Sequence, residues 1–452
     1  MQSFSELLES FFELRKNNTK ISTEVLAGIT TFVTMVYILA VNPQILSATG
    51  MEIGALFTAT ALICIIGTGM MALWAKYPYA IAPGMGLNAF FAFVVADQVG
   101  WQGGLLLLFI QGLMFMVMAL ARFREAIFDS VPQNIKLSIG VGVGLFITFI
   151  GLQEAGFIVS HPATIVALGD MRSLTLVLFL VGCVSMVILI KRGFNSGIFA
   201  GIMLVYFLGL LAQAAGLYIP GVHGYSLIPE GIISMPPSLA PVSLITNWQD
   251  ISFAGVGIFT IVSLLLVLLF VEAVETVGTL IGVSERAGFM DYSSGKGEMP
   301  RVKQALLADA STTALGALLG TSTSTTYIES ATGIQAGGRT GLTSLVTAIL
   351  FFAAMFFWPI FAVIPSFATA PALVIVGLYM TSMVTRIEFD DFSEAFPAFL
   401  VMILMPLTFS VSDGVVFGIL SYVAIKVLLG KWKSVPLIMY FLAVVFVLKL
   451  MY

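Results

Sequence analysis

Stretches of about 20 apolar residues, nearly free of charge, recur along the whole chain, and that is the length of a helix that crosses a bilayer. Such spans fall near residues 25–48, 53–74, 80–96, 102–121, 135–154, 173–190 and 196–217. A second set falls near 253–283, 303–320, 326–337, 341–364, 369–385, 395–411 and 414–429. An apolar run over 434–451 is left over, either a further crossing or a stretch lying along the membrane. Of the 452 residues 59% are hydrophobic and 10% charged, where soluble domains carry about a quarter charged. A soluble fold of this length would lack the polar surface it needs. The chain reads as a single all-α polytopic membrane domain with short loops.

The other function classes find little support. The segment 1–20 carries Glu6, Glu9, Glu13, Arg15, Lys16 and Lys20 and does not resemble a cleaved signal. Its apolar residues fall near helical spacing, which suggests an amphipathic helix on the membrane, with a frayed tail as the alternative. Cys64 and Cys183 lie inside apolar runs, and His161 and His223 stand alone in polar connections. No metal site, cofactor or disulfide is expected. A net charge of −4 points to no nucleic-acid partner, and no catalytic motif argues for an enzyme.

Charge sets the orientation. With the N-terminus in the cytoplasm, the inside connections hold Arg15, Lys16, Lys20, Lys76, Arg122, Arg124, Lys136, Lys191, Arg192, Arg286, Lys296, Arg301, Lys303, Arg339, Arg386, Lys426, Lys431 and Lys433. Of the 20 basic residues only Arg172 and Lys449 fall elsewhere. The long connection 218–250 has no Lys or Arg and lands outside. This is a marked positive-inside bias, and a miscounted span would scramble it.

Seven is odd, so the second set of seven spans starts on the opposite side from the first, as an inverted repeat would. The third member of each set is unusual. Span 3 opens YAIAPGMGLNAFFAF, with Pro83, Gly84 and Gly86, and span 10 reads TSTSTTYIESATGIQAGG. Interrupted segments at matching places in two halves point to a transporter binding site, although glycines there could serve only helix packing.

Acids within apolar spans are costly and usually functional. Glu272 and Glu275 lie in LLLVLLFVEAVETVGTLIGV, three residues apart on adjoining parts of one helix face. Glu329 lies in span 10, Asp309 near the inner end of span 9, and Glu154 near the outer end of span 5, where solvation is the simpler reading. No Lys or Arg shares the span of Glu272 and Glu275. A buried acid without a cation can hold a coupling proton or accept N–H bonds from a heterocycle. The alternative is a polar contact between helices.

Several of these motifs are long. TTFVTMVYILAVNP, APGMGLNAFFAF, GVGVGLFITFIGLQEAG, TSTSTTYIESATGIQAGGRTGLTS, PSFATAPALVIVG and MPLTFSVSDGVVFGILSYVAIK together resemble the AzgA-like purine permeases, over about residues 20–430. The resemblance implies the nucleobase–ascorbate transporter fold: 14 spans in two inverted seven-span repeats, with short strands opening spans 3 and 10 and crossing at mid-membrane. It implies a core domain from 23–122 and 251–366 and a gate domain from 123–250 and 367–430, beside an N-terminal segment 1–22 and an apolar tail 431–452. It further implies a purine nucleobase as substrate, proton symport at the cell membrane, and a homodimer.

Site residues follow from matching positions. Asn88 stands at the Asn of the GLNA motif, Glu275 at the acidic position of span 8, and Glu329 at the Glu of YIES, with Thr326 and Ser330 flanking it. Phe90, Phe91 and Tyr327 are candidate ring contacts, or core packing. Glu272, Glu275 and Glu329 are the candidates for proton coupling. Span 8 departs from the family pattern: Val274 replaces an aromatic, and Glu272 and Glu275 stand where Asp is usual. Hypoxanthine and guanine are the expected substrates. The alternatives are an adenine-preferring permease of the same family and, less in keeping with the acids, an anion transporter of the related sulfate-permease fold.

Overall fold

The computed structural model describes residues 4–120, 131–194, 196–290 and 299–451. Expectations placed on Arg122, Arg124 and Lys296, and on the side chains of Val274 and Arg286, lie outside the described residues. Among the described residues, nine helical stretches are long and apolar enough to cross a membrane. Three shorter apolar helices include residues 258–273, 392–407 and 437–451. A membrane-embedded, multi-pass helical protein follows.

The first half begins with α1 (Phe4–Phe11), α2 (Ile21–Met35), α3 (Ile38–Ser47) and α4 (Ile53–Met70). Strand β1 (Ile81–Pro83) leads into α5 (Met85–Phe90), followed by α6 (Ala96–Leu120). Next come α7 (Gln133–Glu154), a hairpin of β2 (Ile158–His161) and β3 (Ile165–Leu168), α8 (Leu174–Lys191) and α9 (Gly197–Ala214). The second half repeats the order with α10 (Ile258–Ala287), α11 (Val302–Leu319), β4 (Ser324–Thr326), α12 (Ser330–Gln335), α13 (Gly341–Ala354), α14 (Trp358–Ala362), α15 (Ser366–Thr381), α16 (Phe392–Leu407) and α17 (Val411–Leu428). The tail forms α18 (Leu437–Met451).

Local chemistry explains several boundaries. Between α2 and α3 the ladder tightens at Val36 and Tyr37, whose carbonyls accept from the N–H groups three residues on, of Leu39 and Ala40. Glu52, Thr340, Asp391 and Ser410 each accept a backbone N–H at a helix start. In α8 the stripe Val177, Val181, Val184 and Ile188 is exposed and wholly apolar, as a face toward lipid would be.

The helices form two packed groups. In one, α6 lies on α11, and α13 on α2 and α4. In the other, α7 packs on α15 and α16, α15 on α8, and α16 on α17. Close approach of α7 to α15 requires glycine: a Cβ on Gly144 would stand 2.7 Å from the Gly377 carbonyl oxygen. The tail helix α18 packs on α10 and α17, where Lys449 donates to Ser412 at 3.0 Å and faces Asp413 at 3.4 Å.

Between the halves lies a two-stranded antiparallel sheet, pairing Ile81 with Thr326, Ala82 with Thr325 and Pro83 with Ser324. Both strands are wholly buried. Each has an outer edge with unpaired backbone groups, which buried surroundings make costly. One threonine serves the first residue of each edge. Thr68 of α4 accepts from the Ile81 N–H at 3.0 Å and donates to the Ile81 carbonyl at 3.1 Å. Thr313 of α11 accepts from the Ser324 N–H at 3.2 Å, and its hydroxyl proton is shared between the Ser324 carbonyl at 3.2 Å and Glu272 at 2.9 Å. The two halves use the same device at the first residue of each strand.

The connection 218–250 is folded against the helices. Tyr206 donates to the Leu227 carbonyl at 2.7 Å, Thr58 to the Pro237 carbonyl at 2.9 Å, and Tyr225 to the Ile364 carbonyl at 2.9 Å. At the N-terminal end, Phe12 and Leu14 pack on Leu342, and Lys76 donates to the Phe11 carbonyl at 2.9 Å.

The charge bias makes the orientation testable. In a Cys183→Ser background, Ser238→Cys should react with a membrane-impermeant maleimide in intact cells, and Ser434→Cys only after permeabilisation. Both side chains are exposed. The reverse labelling pattern would overturn the orientation.

Candidate functional site

The site grows from the strand pair. Gly84 follows β1, and its N–H donates to the Thr323 carbonyl at 2.9 Å. A Cβ on Gly84 would meet Thr325 Cγ2 at 3.2 Å and the two Glu275 carboxylate oxygens at 3.4 and 3.5 Å. Glycine therefore lets the Glu275 carboxylate lie against the backbone where β1 becomes α5. Glu275 Oε2 is buried and has no hydrogen-bond partner among the described residues.

Asn88 lies one turn along α5, its N–H donating to the Gly84 carbonyl at 2.9 Å. Its side-chain oxygen accepts from the Ser322 hydroxyl, which orients the amide. Asn88 Nδ2 is buried and has no partner among the described residues. The start of α5 faces the second helix group: a Cβ on Gly86 would meet Val143 and, at 3.6 Å and 3.8 Å, Met380 and Ile147.

Beyond β4, the Tyr327 N–H donates to the Ala80 carbonyl at 2.9 Å, and its hydroxyl to the Pro83 carbonyl at 2.5 Å. Its phenol is within electrostatic range of both Glu275 and Glu329. Ser330 Oγ accepts from the Ala80 N–H at 3.0 Å, so this hydroxyl serves the strand. Thr326 is buried, and its hydroxyl has no partner among the described residues. Side chains alternate along a strand, so Thr325 points the other way, toward Glu275, with its hydroxyl 3.4 Å from that of Thr276. Thr276 donates to Asp309 at 2.9 Å. Phe90 and Phe91 are fully buried within the main apolar cluster.

The three acids have different surroundings. Glu329 is half-buried at the start of α12 and accepts from the Tyr37 hydroxyl at 2.7 Å. Glu275 faces Gly84 and Thr325. Glu272 is fully buried and accepts from Thr313 at 2.9 Å and from Gln111. Through Thr313 it is joined to the edge of β4, so the two acids of α10 do not share one environment.

Sequence reasoning passed over three residues here. Tyr37 lies inside an apolar motif, and Thr325 beside the named Thr326. Glu24, fully buried, accepts from the N–H groups of Arg339, Thr340 and Thr343 and from the hydroxyls of Thr340 and Thr343. It ties the start of α2 to the turn between α12 and α13. An acid at the mouth of an apolar span was the signal available for it. No group of three or more His, Cys, Asp or Glu able to hold a metal occurs among the described residues.

Comparison with known proteins identifies the family. Residues 22–417 match the Permease family. A putative permease of Methanocaldococcus jannaschii is 44% identical over 99% of both chains. The guanine/hypoxanthine permease PbuG of Bacillus subtilis is 42% identical over 98% of this chain and 99% of its own. The adenine permease AdeQ of Escherichia coli is 37% identical over 99% and 96%. These relatives are permeases, not enzymes. Among solved structures, the transmembrane domain of the cyanobacterial bicarbonate transporter BicA superposes with a TM-score of 0.63 at 15% identity, covering 88% of this chain and 97% of that one. The anion transporter SLC26A9, from mouse, gives 0.61 at 12% identity, covering 96% and 73%. Those two share the fold. The chain belongs to the Permease family, and within it to the AzgA-like purine permeases.

Proposed function

We propose that this protein carries a purine nucleobase inward across the cell membrane together with protons, hypoxanthine or guanine in the first place. The observation that carries this reading is a pair of buried polar atoms beside the strand pair that have no partner among the described residues: Glu275 Oε2 and Asn88 Nδ2. Buried polar groups are almost always bonded, so such orphaned atoms call for a ligand or water. A purine edge offers N–H donors to a carboxylate and ring or exocyclic acceptors to an amide. In this reading Glu275 and Glu329 take the donors, Asn88 serves an acceptor, and Tyr327 flanks the ring. An adenine-preferring permease fits the same residues, and the relatives include both kinds. An anion transporter fits less well, because the groups gathered at the strands are carboxylates rather than cations.

The wider architecture in this proposal is 14 spans in two inverted repeats, a core built on the strand pair, a gate of α7–α9 and α15–α17, a cytoplasmic N-terminus and a homodimer. The paired use of Thr68 and Thr313 supports the repeat. Protonation of a carboxyl linked to purine binding would let the proton gradient drive uptake.

Three outcomes test the reading. In cells lacking their own purine permeases, the protein should accumulate radiolabelled hypoxanthine or guanine, and a protonophore should collapse the accumulation. Uptake that follows sodium instead would exclude proton coupling.

Glu275→Gln and Glu329→Gln should each lose purine uptake while still reaching the membrane, because an amide presents donors where the base needs an acceptor. Glu275→Asp should keep some uptake but change the ranking of hypoxanthine, guanine and adenine. The carboxylate retreats by about 1.5 Å, and hydrogen bonds weaken steeply when misaligned. Wild-type uptake and ranking in Glu275→Gln would misplace the site.

Glu272 divides from the other two. Glu272→Ala leaves one buried N–H of Gln111 without its acceptor, while the Thr313 hydroxyl keeps the Ser324 carbonyl, at a cost of roughly 1–3 kcal/mol. The apparent melting temperature should fall by several degrees, and further than in Glu275→Gln. Equal melting of the two variants would remove the distinction.

A further inference from the structure

We infer that Tyr37 is a positioning residue for the substrate: its hydroxyl holds the Glu329 carboxylate in the orientation that receives the base. This rests on the functional reading above and adds a residue to it. Tyr37 is 1% exposed and sits where the first span breaks between α2 and α3. The break places the phenol beside the start of α12. The hydroxyl donates to Glu329 Oε1 at 2.7 Å. A hydrogen bond to an ionised group is stronger and more directional than a neutral one. With one oxygen held, the carboxylate has one orientation in which to meet a donor. Affinity then gains from preorganisation, because less freedom is lost on binding.

The contact belongs to a seam between the first span and α12. Thr34 lies 3.1 Å from Thr332, hydroxyl to hydroxyl, one turn before Tyr37. The Thr332 hydroxyl in turn donates to the Glu329 carbonyl at 2.7 Å. Tyr37 differs from the threonines of the seam in touching the carboxylate itself. A phenol that only docked two helices would not alter how a base is held.

The test is equilibrium binding and initial-rate uptake of radiolabelled hypoxanthine, guanine and adenine by the full chain in wild type, Tyr37→Phe and Thr34→Ala. Tyr37→Phe should weaken binding and raise KM by about tenfold, leaving the maximal uptake rate and the melting temperature of the purine-free protein near wild type. Thr34→Ala removes a contact of the seam but not the phenol, and its affinity should stay within about twofold. Wild-type affinity in Tyr37→Phe would overturn the inference. So would an equal loss in Thr34→Ala, which would make helix docking the cause. If the wild type itself binds none of the three bases, the functional reading fails first and takes this inference with it.

Discussion

The structure depends on a six-residue sheet that ought to be difficult to bury. Three residues of each half pair antiparallel among helices, far from water. Every strand has two edges, and the pairing satisfies only one. A hydroxyl group both accepts and donates, so a single threonine can close an N–H and a C=O of one residue. Thr68 does this for Ile81, Thr313 takes the Ser324 N–H while its proton is shared between Glu272 and the Ser324 carbonyl, and Tyr327 donates to the Pro83 carbonyl. With these edge groups bonded, the chain can leave the helical ladder at this depth. That departure brings Gly84, Asn88, Thr325 and the Glu275 carboxylate together.

Around this sheet the acids divide by their partners. Glu272 is enclosed by Gln111 and Thr313 and is joined through Thr313 to the strand edge. Glu24 is enclosed by five donors from the turn after α12. In both, protein donors occupy the carboxylate. Glu275 keeps an oxygen without a partner among the described residues, and Glu329 is held on one oxygen by Tyr37. In the function proposed above, this difference in satisfaction separates acids of the frame from acids of the site. A carboxylate whose donors all come from the protein has nothing left for a ligand.

Much of this was legible in the sequence. The apolar runs marked where the long helices lie, and Pro83, Gly84, Gly86 and the threonines of 321–326 marked where helix periodicity fails. The acids stood out because apolar spans exclude them. What stayed hidden depended on distant partners. Thr68 lies in an apolar run and shows its role only beside Ile81. Tyr37 reads as an aromatic in an apolar motif until Glu329, 292 residues later, stands against it. The spacing of Glu272 and Glu275 gave them one helix face, while neighbouring helices gave them separate surroundings. The connection 218–250 reads as a polar loop, because its anchors join it to distant elements: Tyr206 of α9 donates to its Leu227 carbonyl, and its Tyr225 donates to the Ile364 carbonyl.

The central claim is that the orphaned polar atoms beside the strand pair receive the base. A cryo-electron microscopy structure of the full chain with the purine it transports would test this most directly. The account predicts the ring between Glu275 and Glu329, beside Gly84, with its polar edge on Glu275 Oε2 and Asn88 Nδ2. A base bound elsewhere, with those atoms bonded only to water or protein, would contradict it.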